Sequence, residues 1–307
     1  AQIAALTTAQ IGSLTTAQIA ALSTAQIVAI ETADLEAMTT TQIAALTSTQ
    51  AAKLTTAQIA ALTTAQAAAL ETVDLAALTT AQVIAMETAD IAALTTTQIG
   101  ALTTAQINKL TNAQIQALTS AQLAAIETVD LLALTTAQIA ALTTDQIGKL
   151  TISQIAALTT AQIAAIETAD AAALTTAQIA ALTSDQISKL TAGQIAALST
   201  AQVAAIETVD LALMTPAQIA ALTTEQARYM TVGQIAALTT AQVAAIETAD
   251  LAALTTAQIA ALTTAQAPAL TGGQIAALTL EQIVAIETAD LARLTTAQIV
   301  ALSTDQA

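Results

Sequence analysis

The chain has 307 residues, with six Lys or Arg against 22 Asp or Glu and a formal net charge of −16. It contains no Cys, His, Trp or Phe and one Tyr, which excludes disulfides, imidazole catalysis and Cys/His metal centres. So few basic side chains give a phosphate backbone nothing to bind, and polar residues recur too often for an apolar run of membrane-spanning length. Neither a nucleic-acid partner nor a membrane span is expected.

From Ala1 onward one phrase, Ala-Gln-Ile-Ala-Ala-Leu-Thr-Thr, repeats in register to the end of the chain. Calling its positions a to h, there are 38 complete octads and three residues of another. Position b is always Gln or Asp, f is Leu, Ile or Met, and g is Thr or Ser in 30 octads and Glu in the other eight. A period this short implies a solenoid in which each repeat leans on its neighbours. We expect one continuous array over 1–307 without separate domains. Neither end carries an atypical polar cap, so we expect a processed form or a window of a longer array.

The first full segment, Thr7-Thr8-Ala9-Gln10, is a capping box, with Leu6 and Ile11 at hydrophobic-staple spacing around it. The repeat therefore predicts one short helix per octad: N-cap at g, first turn at h, a and b, then c to f, about seven residues and about 10 Å long. The fold class is an all-α solenoid of very short capped helices, held by burial of c and f. A single long helix fails, because eight residues would rotate its apolar stripe by about 80° per octad. A β-solenoid is the alternative, since Thr and Ile favour strands.

Farther along, Glu at g and Asp at the next b always occur together. The pairs are Glu31 and Asp34, Glu71 and Asp74, Glu87 and Asp90, Glu127 and Asp130, Glu167 and Asp170, Glu207 and Asp210, Glu247 and Asp250, and Glu287 and Asp290. They recur every 40 residues, with one phase slip of 16 at 71–90. Lys109, Lys149 and Lys189 keep the same count, as do Ser153, Gly193, Gly233 and Gly273. Stacking of residues i and i+40 explains this, with five octads per superhelical turn and the acidic pairs in a column that the slip moves to another side. Duplication of a 40-residue unit without geometric meaning is the other explanation.

Three readings of the acidic pairs follow. They form a general acid/base pair, which eight near-identical copies disfavour. They are calcium ligands, all sixteen residues being candidates because carboxylates and backbone carbonyls are the ligands calcium prefers. Or they are a variant helix cap, the reading that fits their place at the two capping-box positions.

Near the middle of the chain, Asp145 with Lys149 and Asp185 with Lys189 sit at i,i+4 spacing on one helix. Lys53, Lys109 and Arg293 read as solvated. Pro216 follows Thr215 at the first helical position, where proline is favoured. Tyr229 reads as a packing variant beside Met230. Pro268, at position d, removes a helical hydrogen bond and marks 265–273 as the weakest rung.

The phrases Leu-Thr-Thr-Ala-Gln-Ile and Thr-Ser/Thr-Asp-Gln-Ile resemble repeat tracts of very long bacterial secreted or surface proteins, often labelled haem utilisation or adhesion proteins. The resemblance covers the whole chain and brings no catalytic residue. The haem label finds no ligand here, where His and Cys are absent and Met totals four. What the resemblance and the repeat imply is an extracellular structural protein of a bacterial cell surface, not an enzyme, forming a stalk or filament by end-to-end self-association. The alternative is a calcium- or protein-binding scaffold. No other cofactor and no small-molecule substrate are expected.

Overall fold

The computed structural model describes residues 3–304 and 306. They are built of short α-helices and turns, and no strand occurs among them, so the β-solenoid is not supported. Contacts divide the chain into two compact units, 1–157 and 158–307.

Each helix begins at h, one residue after its cap. Thr16–Ala20, for example, is capped by Thr15 at φ −74° and ψ 158°, with the reciprocal box to Gln18. The helices run four to six residues, as in Ser184–Ile187 and Val232–Ala237, not the seven expected. The missing turn is at f. Leu238 is extended, at φ −60° and ψ 139°, and the following cap Thr239 is extended as well, at φ −71° and ψ 160°. Two polyproline-like residues thus join one helix to the next. No described residue has positive φ, which is why the link needs no glycine. At Pro216 the helix starts on the proline, as expected. At Pro268 the α-helix is replaced by the 3₁₀ turn Ala267–Ala269, the local change of helix type that a proline at position d imposes.

Positions c and f form the core in both units: Ile115 and Leu118 are buried in the first, Ile235 and Leu238 in the second. Each large c residue contributes roughly 1.5–3 kcal/mol of burial, which supports helices far too short to stand alone in water. Ala at c, as in Ala51 and Ala227, is also buried.

The turn is shorter than the five octads expected. In the first unit Ser48–Ala51 packs on Thr72–Ala77, and in the second Thr224–Tyr229 packs on Thr248–Ala253, each 24 residues later. Side-chain hydrogen bonds between turns span 25 to 31 residues. Within each unit a helix therefore packs on the third octad after it and is tied to the fourth, so a turn takes between three and four octads. Side-chain reach sets this number: the bonds at b close the coil before a fifth octad can enter. The count of 40 belongs to the sequence and not to the turn. Consequently the acidic octads do not stack as a column.

Candidate functional site: the joints between turns

A helix of five residues leaves nearly every backbone N–H and C=O without an intrahelical partner. The b glutamine supplies both kinds. Gln58 Oε1 accepts from the Thr55 N–H at 2.8 Å, and the Gln58 N–H donates to Thr55 Oγ1 at 3.1 Å. Its Nε2 then crosses to the previous turn and donates to the Ile27 carbonyl at 2.8 Å and the Ile30 carbonyl at 2.9 Å. One side chain caps the start of its own helix and the end of a helix four octads earlier. In the second unit Gln234 repeats this with Thr231, Val203 and Ile206. These glutamines are buried, Gln58 to 2% exposure and Gln234 to 1%. Gln10, Gln18 and Gln26 make the bonds to their own caps and are exposed. Burial of Gln is therefore the signature of a joint. The capping box was legible in the sequence; the second use of the amide was not.

Asp at b changes the joint. The eight aspartates are buried, from 1% exposure at Asp74 to 8% at Asp130, while their Glu partners at g are exposed. An ionised carboxylate has no hydrogen to give the carbonyls that Gln reaches. It accepts instead from a hydroxyl at h, 26 residues earlier: Thr8 to Asp34 at 2.8 Å, Ser48 to Asp74 at 2.9 Å, Thr104 to Asp130 at 2.5 Å, Ser184 to Asp210 at 2.5 Å and Thr224 to Asp250 at 2.6 Å. The tie between turns thus reverses its donor and acceptor.

The variant-cap reading holds only in part. All eight Glu residues occupy N-caps in extended backbone, as Glu71 does at φ −70° and ψ 153°. None makes the side-chain cap bond that Thr makes. Around Glu87 and Asp90 the return bond does form, the Glu87 N–H donating to Asp90 Oδ2 at 3.3 Å. Asp is one methylene shorter than Gln, which is why the return bond is rare. Burial raises the carboxyl pKa of Asp74, opposed by the Ser48 hydroxyl and reinforced by Glu71. Burial also raises that of Asp90, opposed by the Glu87 N–H and the Thr64 hydroxyl. As for calcium, the sixteen candidates are split between buried Asp and outward Glu. Among the described residues no three His, Cys, Asp or Glu side chains come together to hold a metal ion.

The remaining charged side chains among the described residues lie on the surface. Lys53, Lys109 and Arg293 are exposed, in keeping with their reading as solvated. Asp145 accepts from Ser120 Oγ at 2.6 Å, a bond between turns that its i,i+4 spacing to Lys149 did not suggest. Tyr229 corrects its expectation: it is 58% exposed while Met230 is buried, because position e faces outward where f faces the core. It lines a shallow surface groove with Thr224, Glu225, Arg228 and Ala253.

Models of the ALTTAQ repeat match residues 1–29, 27–64, 67–104, 99–125, 123–160, 163–200, 203–240, 243–280 and 283–307. The last five of these segments begin 40 residues apart, the same count that the acidic pairs keep and that the turn does not. No curated protein matches the chain.

Proposed function

Since the chain belongs to the ALTTAQ repeat family, we propose that it is a structural segment: a stiff spacer of a bacterial secreted or surface protein, built to add turns head to tail and carrying no enzymatic site. The observation behind this reading is the polarity of the Gln joint. Each turn presents glutamine amides toward the turn before it and helix-end carbonyls toward the turn after it. A further turn fits in the same way whether it belongs to the same chain or to another copy, which is the heterologous, non-closing contact that gives fibres. Gln10, Gln18 and Gln26, exposed and bonded through Oε1 to their own caps, have the chemistry to receive such a turn. The charge of −16 opposes sideways association and leaves the axial contact favoured.

Electron microscopy of the purified chain and of a tandem duplication tests the proposal. The expected result is rods that lengthen with concentration and with octad number. Short particles of one size at every concentration overturn the filament reading.

A further inference from the structure

Asp74 is where a joint is left chemically incomplete. It is 1% exposed, and Ser48 Oγ donates to its Oδ1 at 2.9 Å. Its Oδ2 is buried without a hydrogen-bond partner, the one buried side-chain polar atom among the described residues of which this is so. At Gln joints position b brings an amide nitrogen to the f and c carbonyls 28 and 31 residues earlier, as Gln82 does to Leu54 and Ala51 at 2.8 Å each. The same count from Asp74 leads to the carbonyls of Leu46 and Ile43. A carboxylate brings no hydrogen to them.

We propose that a proton closes this joint: Asp74 takes one from solvent at Oδ2, and the resulting acid O–H donates to the Leu46 or Ile43 carbonyl in place of the glutamine amide. A neutral carboxyl brings one O–H donor where the Gln amide brings two N–H donors, enough to reach one of the two carbonyls. It also removes a buried negative charge, the costly partner in a dry joint. The electrostatic setting favours uptake. Glu71, on the same helix, adds negative charge, and burial disfavours the anion more than the Ser48 hydroxyl supports it. The helices packed against this one, Ser48–Ala51 and Thr96–Gly100, carry no charged side chain, and Lys53 beyond the first is exposed. A calcium ion needs about six to eight oxygens, whereas a proton needs one atom and no cavity.

The sign follows from the raised pKa. The joint is fully closed below the ordinary carboxylate value, about 3.9, and opens as pH rises through the value in the folded chain. Asp74→Asn carries a permanent donor of the same size and tests this. Thermal melts of the wild type and Asp74→Asn should converge as pH falls from about 7 to about 4, the variant being the more stable at the upper end. A constant difference in melting temperature across that range overturns the proposal. A carboxyl-carbon NMR titration of the wild type reads the same group without any substitution. Titration of Asp74 above the ordinary carboxylate range supports the proton, and titration within or below it overturns the proposal.

Discussion

The joints at Gln234 and Asp210 sit three octads apart in the same unit and are built from the same backbone. At Gln234 the side chain accepts from Thr231 and donates to Val203 and Ile206, and its own N–H is capped by Thr231. At Asp210 the ladder shrinks to one hydroxyl, Ser184, and the cap residue Glu207 contributes no side-chain cap bond. Burial is nearly equal, 1% against 6%, so the two differ in hydrogen count and not in packing. The lesson is that the b side chain, and not the hydrophobic seam alone, decides how firmly one turn holds the next.

Substitutions that convert one joint into the other separate these contributions. Gln234→Ala strands the Thr231 N–H and two carbonyls, and is expected to cost about 3 kcal/mol, read from the shift of the urea midpoint. A shift near zero would show that packing alone carries the joint. The reverse change, Asp210→Gln, should gain about 1 kcal/mol, the loss of the Ser184 bond offsetting part of the new ties; destabilisation in the same assay would mean that the Asp joint is the stronger. The caps give a matched pair. Thr231→Ala should lower stability by about 1 kcal/mol, while Glu247→Ala should stay within about 0.5 kcal/mol, because Glu247 makes no side-chain cap bond. Equal losses in thermal melts would contradict the difference between the two kinds of cap. The smallest effect concerns pH. Asp90 has a raised pKa like Asp74, so its contribution to stability is likewise fully present in acid and lost as pH rises through its folded value. Its Oδ2 already receives the Glu87 N–H and Thr64 donates to the carboxylate, so Asp90→Asn should flatten the pH dependence of melting less than Asp74→Asn does. The reverse order would place the proton at the wrong joint.

Much of the fold was legible from the residues. Thr-x-x-Gln announced a cap and a helix start, the Leu and Ile of f and c announced the core, and Pro216 and Pro268 each acted as their positions required. The length of the turn was not legible, because it depends on where Nε2 of a side chain such as Gln58 ends after serving its own cap. That is a contact across about thirty residues, recorded in no local pattern. The period of 40 pointed elsewhere, since Glu and Asp pairs can be copied at any interval that preserves register. At the acidic positions, the sequence showed the coupling of Glu31 with Asp34 and its repeats. It could not show that one member turns outward and the other inward. Tyr229 was misread for a related reason: position e carries alanine almost everywhere, and a small residue does not reveal which way a large one would point.

The glycine-free link between helices has a consequence for how such a chain changes over generations. The link at Leu238 and Thr239 is a pair of extended residues, and no described residue has a positive φ that would mark one octad as special. Loss or gain of eight codons therefore re-pairs each downstream glutamine with carbonyls of the same kind, and copying errors in whole repeats pass without a steric penalty. Only the aspartate octads constrain such slippage, since each must land opposite a serine or threonine, and those residues become the punctuation that records where a gene has been lengthened.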